Sequence, residues 1–175
     1  EASEMLSAGI QDITQSMVDE NFKLNEVLRM VLETMYRALG FRRVVLALRD
    51  PRTECLTGRF GLGEGATATA AVLRVPLKPA SGLRPDLFTA VCLKGADTLI
   101  QDARAENIAS RLPAWQREQV QAPAFLLLPL MMKGAPFGLI YADRGQNGPM
   151  KLPEQELALL RTLRNQAIQA FKQSG

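Results

Sequence analysis

Two thiols, Cys55 and Cys92, are the strongest potential nucleophiles in a chain that contains no histidine. Without imidazole there is no Ser-His-Asp triad, no histidine-ligated haem, no HExxH zinc site and no histidine general base. The two cysteines are far apart and form no CxxC, which excludes a four-thiolate zinc site and a disulfide-dense scaffold. A redox pair would need a neighbour that lowers a thiol pKa, and none stands nearby in sequence. Cys92 lies in the apolar run Ala90-Val91-Cys92-Leu93, the usual setting of an inert buried thiol. The run Gly58-Arg59-Phe60-Gly61-Leu62-Gly63-Glu64-Gly65 has the glycine density of a phosphate loop. It lacks the closing GK[ST] and carries acidic Glu64 instead, so it reads as the flexible exit of a hairpin. No carboxylate pair has a helix or strand that fixes it at acid–base spacing. The chemistry-bearing residues therefore argue against an enzyme, a metal site or a bound cofactor.

The elements that hold these residues follow from composition and periodicity. The chain has 175 residues, of which 47% are hydrophobic and 22% charged, enough for one globular domain with extended helical ends. A net charge of +3, with no basic run longer than Arg42-Arg43, gives no nucleic-acid surface. Apolar runs such as Phe125–Met132 fall far short of the roughly 20 residues of a membrane span. The polar, acidic start resembles no signal peptide, and a reduced cytoplasmic setting fits the cysteines. Glu1 in place of a methionine reads as the start of a piece of a longer protein.

Leu6, Ile10, Ile13 and Met17 predict a helix over 3–19 with one narrow apolar stripe. Such a stripe suits a coiled-coil seam better than a core. Asn25 is the expected N-cap of a second helix, with Leu28, Val31, Leu32, Met35 and Leu39 on one face and Gly40 at its end. Val44-Val45-Leu46-Ala47-Leu48 predicts a strand buried on both faces, turning at Asp50-Pro51-Arg52-Thr53 into a return strand over 55–61. The middle, 66–121, is mixed. A short strand is expected over 72–77. A helix with Pro85 in its first turn carries Phe88, Val91 and Cys92 and ends at Gly95. Thr98-Leu99-Ile100 is a short strand, 108–112 a helical turn, and Pro113-Ala114-Trp115 starts another. Phe125–Met132 pairs with 137–142 across a turn at Lys133-Gly134-Ala135-Pro136. A loop over 145–148 leads to a last helix opened by Pro153, with Leu157, Leu160, Arg164, Ala167, Ile168 and Phe171 on one face. The expected class is α+β, an antiparallel sheet with terminal helices on one face and the helix/loop segment on the other.

In this order, the segments resemble a GAF domain, the small-molecule sensor module of signalling proteins. Leu39-Gly40-Phe41 leads into the first strand. Lys94-Gly95-Ala96-Asp97-Thr98-Leu99-Ile100-Gln101-Asp102-Ala103 is similar to the family's glycine, short strand, aspartate sequence. Leu128-Pro129-Leu130, Gly134 and Phe137-Gly138-Leu139-Ile140-Tyr141-Ala142-Asp143 match its core hairpin, and Pro153-Glu154-Gln155-Glu156-Leu157 through Ala167 its closing helix. The resemblance covers 21–173. Ile10-Gln11-Asp12-Ile13-Thr14, Leu28 through Tyr36, and Leu160 through Ala167 also look like the C-terminal region of bacterial HDOD-domain signalling proteins, which implies an HDOD domain upstream of Glu1. The division is then a linker or dimerisation helix over 1–20 and a GAF-like sensor domain over 21–175.

The resemblance implies a regulatory module that senses a small molecule. The stripe Leu6, Ile10, Ile13 and Met17 predicts a homodimer through the N-terminal helix with help from the C-terminal one, and charge and apolar-run length leave neither nucleic acid nor membrane as partner. Several ligand classes of the family lack their residues here. Asn107 does not open the NKxxxFxxxDE pattern of cyclic-nucleotide binders, Cys92 is followed by Leu93 rather than the histidine of bilin attachment, and haem has no axial histidine. The alternatives are a scaffold with a filled pocket, or a thiol-dependent reductase of the GAF type. The resemblance places the ligand between the sheet and the middle segment, lined by Phe60, Phe88, Val91, Ile100, Asp102, Ile108, Trp115, Phe125 and Leu127. Asp102 competes with its own role as a cap, and Trp115 either walls the pocket or seals the core. Arg59, Arg74, Arg84 and Arg104 fall on this side, where solvated surface is their default and an anion their alternative.

Overall fold

The structure, a computed structural model, describes residues 1–146 and 148–174. Asn147, within the loop expected over 145–148, and Gly175, the end of the expected domain, lie outside the described residues. The chain forms two compact units, Glu1–Phe41 with Lys151–Gly175, and Arg42–Met150.

The first unit is helical: α1 (Ala2–Val18), α2 (Leu24–Leu39) and α6 (Glu154–Ser174). The stripe on α1 is not reserved for a partner. Leu6 and Ile13 are wholly buried, because α1 packs against α2 and α6. A stripe too narrow for a two-sided core is wide enough when two neighbours share it. The contact of α1 with α2 is close: a Cβ at Gly9 would collide with the Thr34 side chain. Ser16 donates to the Met30 sulfur at 3.6 Å. Gln166 of α6 donates to the Ile10 carbonyl at 3.1 Å and to Thr14 Oγ1 at 2.9 Å. The expected cap at Asn25 is displaced. Lys23 occupies the cap position without a side-chain bond, and Asn25 lies inside the first turn. Gly40 ends α2 with φ of 64°. On α6 the buried residues are Leu160, Leu163, Arg164, Ala167 and Ala170, so the inner face is rotated from the expected one.

The second unit carries a six-stranded antiparallel sheet in the order β3-β2-β1-β6-β5-β4, with β1 (Arg43–Asp50), β2 (Cys55–Gly63), β3 (Arg74–Pro76), β4 (Thr98–Ile100), β5 (Phe125–Met132) and β6 (Ala135–Asp143). The hairpin pairings expected from the apolar runs are present, and the fold class is α+β as predicted. Two prolines sit where a ladder tolerates them. Pro129 lies beyond the short reach of β4, which pairs only with residues 125–127 of β5. Pro136 is at the register shift opposite Met131, so the turn narrows to Lys133-Gly134.

The middle segment supplies α3 (Ala66–Val72), α4 (Leu87–Lys94), α5 (Glu106–Ala109) and a π-helical turn (Gln116–Val120). Helix α3 is not expected from the sequence, and it takes up Val72, the first residue of the strand expected over 72–77. Its Ala/Thr composition has no amphipathic period to reveal it. Gly61, Leu62 and Gly63 belong to β2 rather than to a loose exit. Gly58 lets α3 approach the strand, since a Cβ there would strike the Ala70 backbone. Pro85 precedes α4 instead of joining it. The Asp86 carboxylate accepts the Thr89 N–H at 2.9 Å and caps the helix, which ends at Gly95 with φ of 68°.

Candidate functional site

Most of the residues expected to line a pocket form a packed core instead. Phe88, from α4, is wholly buried against three rings. Its centroid is 4.9 Å from Trp115 edge-on, 5.4 Å from Phe125 and 6.3 Å from Tyr141, the last two stacked. Val91, Ile100 and Leu127 join this cluster, and Ile108 packs on its margin. Trp115 donates its indole N–H to the Arg74 carbonyl at 3.0 Å and closes the cluster rather than walling an open space. Phe60 does not belong to this side. It pairs with Leu46, whose neighbours Val45 and Ala47 face the cluster, so Phe60 points to the opposite face. Asp102 is exposed, and its carboxylate accepts the Arg104 N–H at 3.0 Å, the local turn that competed with a ligand role.

A cavity of about 450 Å³ opens beside this core instead. It is lined by Ala103, Arg104, Ala109, Leu112, Gln116, Arg117, Gln121, Ala122, Pro123 and Gln146. Three connections shape it. The Ala103 N–H donates to the Pro123 carbonyl at 2.7 Å, which ties the loop after β4 to the approach of β5. Gln146, after β6, donates to the Gln121 carbonyl at 3.0 Å. The π turn closes with a bond from Gln121 N–H to the Gln116 carbonyl at 2.7 Å. A π turn holds one more residue than an α turn and widens the helix locally, a distortion frequent at functional sites.

The widened turn turns a polar side chain inward. Gln116 is only 1% exposed. Its amide N–H donates to the Ala122 carbonyl at 3.4 Å, which fixes the amide's orientation. Its Oε1 meets no donor among the described residues. The same amide faces the Tyr141 hydroxyl, which belongs to a buried polar network. Tyr141 donates to Asp143 Oδ2 at 2.5 Å, and Arg43 Nε donates to the same oxygen at 2.8 Å. The Gly145 N–H donates to Asp143 Oδ1 at 2.8 Å, and Arg43 reaches the Val120 carbonyl at 3.2 Å. Burial, reinforced by the Asp143 charge, holds the Tyr141 hydroxyl well above its usual range. Asp143 thus joins β6, β1, the loop after β6 and the end of the π turn.

The thiols stand apart from the cavity. Cys55 and Cys92 are both buried and free, and neither lines it. Burial, with a smaller contribution from Asp86, pushes the Cys92 thiol up to about 12, so the thiolate is strongly disfavoured. Of the four arginines singled out by sequence, only Arg104 reaches the cavity. Arg59, Arg74 and Arg84 are exposed elsewhere. Gln116, Arg117, Gln121 and Gln146 line the cavity without any sequence signal that marks them. The run Gln116-Arg117-Glu118-Gln119 reads as a solvated helix, and no sequence signal distinguishes a π turn from an α turn. No helix among the described residues is long and apolar enough to cross a membrane.

Comparison with known proteins assigns these elements to a family. The GAF domain model matches residues 23–171. The chain belongs to the GAF domain family, whose members serve sensory and regulatory roles in signalling proteins. Comparison with curated proteins gives no match. Among solved structures, the chain is similar to free methionine-R-sulfoxide reductase from Neisseria meningitidis in complex with its substrate (TM-score 0.74, 17% identity, 99% of this chain and 92% of that one). It is also similar to the GAF domain of an Acinetobacter phosphoenolpyruvate-protein phosphotransferase (0.71, 18%, 97% and 91%). A third similar structure is the phycoerythrobilin-bound GAF domain of a cyanobacterial phytochrome (0.71, 13%, 98% and 97%). At these identities the likeness is one of fold.

Proposed function

We propose that this chain is a non-catalytic, cytoplasmic sensing and dimerisation module of a larger bacterial signalling protein. Its small-molecule site is the cavity under the π turn. One observation carries the reading: a cavity of about 450 Å³ lies against the π turn, lined by Arg104, Arg117, Gln121 and Gln146 beside apolar Leu112 and Pro123. The volume is within the ~300–1,000 Å³ of small-molecule sites. Gln116 also touches the network of Tyr141, Asp143 and Arg43, so occupancy would bias the packing of the π turn on the sheet. The parent chain would place an HDOD domain before Glu1, on the resemblance of the segments named above. The proposed homodimer uses α1 with help from α6. With Leu6 and Ile13 committed to the helical unit, α1 still exposes Met5 (48%) and Val18 (70%) to a copy.

The packed ring cluster favours a second reading, a scaffold that binds nothing. Reductase chemistry is the weakest alternative, because Cys92 is held protonated and neither thiol lines the cavity. Native mass spectrometry of the full chain incubated with bacterial metabolite extract separates the first two. A retained small molecule, displaced in the Gln116→Leu variant, supports sensing. No adduct from any extract, with an unmoved melting temperature, establishes the scaffold. Thiol-dependent reduction of methionine sulfoxide, lost on changing both cysteines to serine, would overturn both.

A further inference from the structure

We propose that the π turn is a two-register switch, held wide by Arg43, Asp143 and Gln146 and able to tighten into an α turn by a one-residue shift. It rests on the sensing reading for its use, since the shift moves Gln116, Arg117 and Gln121, which all line the cavity. Two registers meet inside this one turn. It opens in the α register, where the Pro113 carbonyl accepts the Arg117 N–H at 3.2 Å. It closes in the π register, where the Gln116 carbonyl accepts the Gln121 N–H at 2.7 Å, one residue beyond the Val120 N–H that an α turn would offer. The extra residue has a backbone cost. Gln121 stands at φ 56° and ψ 25°, a left-handed conformation that disfavours any residue with a Cβ. The other non-glycine residues of positive φ, Glu54 and Lys133, sit in hairpin turns, where it is ordinary. Gln121 ends a helical turn, a place usually left to glycine.

Two ties oppose the shift, and both grip carbonyls that it would move. Arg43 donates to the Val120 carbonyl at 3.2 Å, and Gln146 donates to the Gln121 carbonyl at 3.0 Å. Arg43 is itself fixed. Its Nε donates to Asp143 at 2.8 Å, and its Nη1 lies so near the start of α3 that a Cβ at Gly65 would stand 3.2 Å from it. Asp143 is wholly buried and also accepts the Gly145 N–H, next to Gln146. Strain at Gln121 therefore favours the α turn, and the ties anchored on Asp143 favour the π turn. Opposed terms of this kind, each the size of one backbone strain or one hydrogen bond, leave an element with two accessible states.

Relaxation dispersion and saturation-transfer NMR on the full isotope-labelled chain, with no ligand added, test this. The amides of residues 116–122 are expected to exchange on the μs–ms timescale with a minor state. In that state the Gln121 Cα shift is helical, and the amide shifts match those of a variant that lacks Gln119, in which the extra residue is gone. Gln121→Val, at an exposed position, should raise the minor population about tenfold, because a β-branched residue resists the left-handed conformation. Gln121→Gly should lower it about threefold or more. Gln146→Ala, which cuts one tie, should raise it about fivefold. No exchange in either wild type or Gln121→Val overturns the switch. So do equal populations in the valine and glycine variants, or a minor state with random-coil shifts, which is fraying. If the variant lacking Gln119 does not fold, the Gln121 Cα shift and the contrast of valine with glycine decide. A metabolite retained by a chain whose π turn shows no exchange leaves the sensing reading standing without the switch. A switching turn in a chain that retains nothing keeps the switch and overturns the sensing reading.

Discussion

Replacing Asp143 by asparagine tests whether the buried polar network holds the second unit together. Asp143 is wholly buried and accepts hydrogen bonds from Arg43 Nε at 2.8 Å, Tyr141 at 2.5 Å and the Gly145 N–H at 2.8 Å. Its Arg43 partner is itself only 12% exposed. Asparagine keeps the shape but removes the charge and turns one oxygen into an NH2 group that faces donors. Arg43 is then a buried cation without its counter-charge, and one of these donors loses its acceptor. Breaking one side of such a buried pair costs about 3–5 kcal/mol. For a chain of this length that corresponds to a fall of roughly 10 °C in melting temperature, at about 2–4 °C per kcal/mol. Urea denaturation followed by circular dichroism measures it, and a double-mutant cycle with Arg43→Met isolates the pair. The double variant should recover part of the loss, because no charge remains buried. A single-variant change under ~0.5 kcal/mol, the size of an ordinary surface substitution, would refute the reasoning.

Stability should fall with alkaline pH through Cys92. Its folded pKa of about 12 exceeds the ordinary thiol value of 9.0, so the unfolded chain loses this proton first, and stability present below pH 9 declines between pH 9 and about 12. Cys92→Ala should reduce that decline by about 1.4 kcal/mol per pH unit, and an unchanged slope in denaturant midpoints would count against it. Tyr141, raised in the same direction, adds to the loss above its ordinary pKa of 10.0. Leu6→Ala should cost about 2–5 kcal/mol, measured by thermal unfolding, because α1 is part of the helical unit. If α1 were only an intermolecular seam, the loss would vanish on dilution below the dimer's dissociation constant. Gly58→Ala should destabilise the second unit by at least ~1–3 kcal/mol, since the new methyl group meets the Ala70 backbone rather than a movable side chain. Wild-type melting of that variant would show that α3 can retreat from β2.

Elements whose burial has a period are legible from the residues alone. Val44-Val45-Leu46-Ala47-Leu48 and Phe125–Met132 read as strands because apolar residues fill both sides of them, and Gly40 and Gly95 marked helix ends through a conformation few other residues accept. The absence of histidine excluded whole classes of chemistry before any coordinate was known. Tertiary structure alone decided where the open space lies. Phe88, Trp115 and Phe125 were recognisable as apolar, but whether such residues line a pocket or fill it depends on ring distances set by separate elements. Leu6 and Ile13 likewise carry the same spacing whether they meet a second chain or α2 and α6 of their own. Gln116 was least legible of all. Its burial comes from one extra residue in a helical turn and from Ala122, Tyr141 and Asp143, and none of those relations leaves a period in the chain.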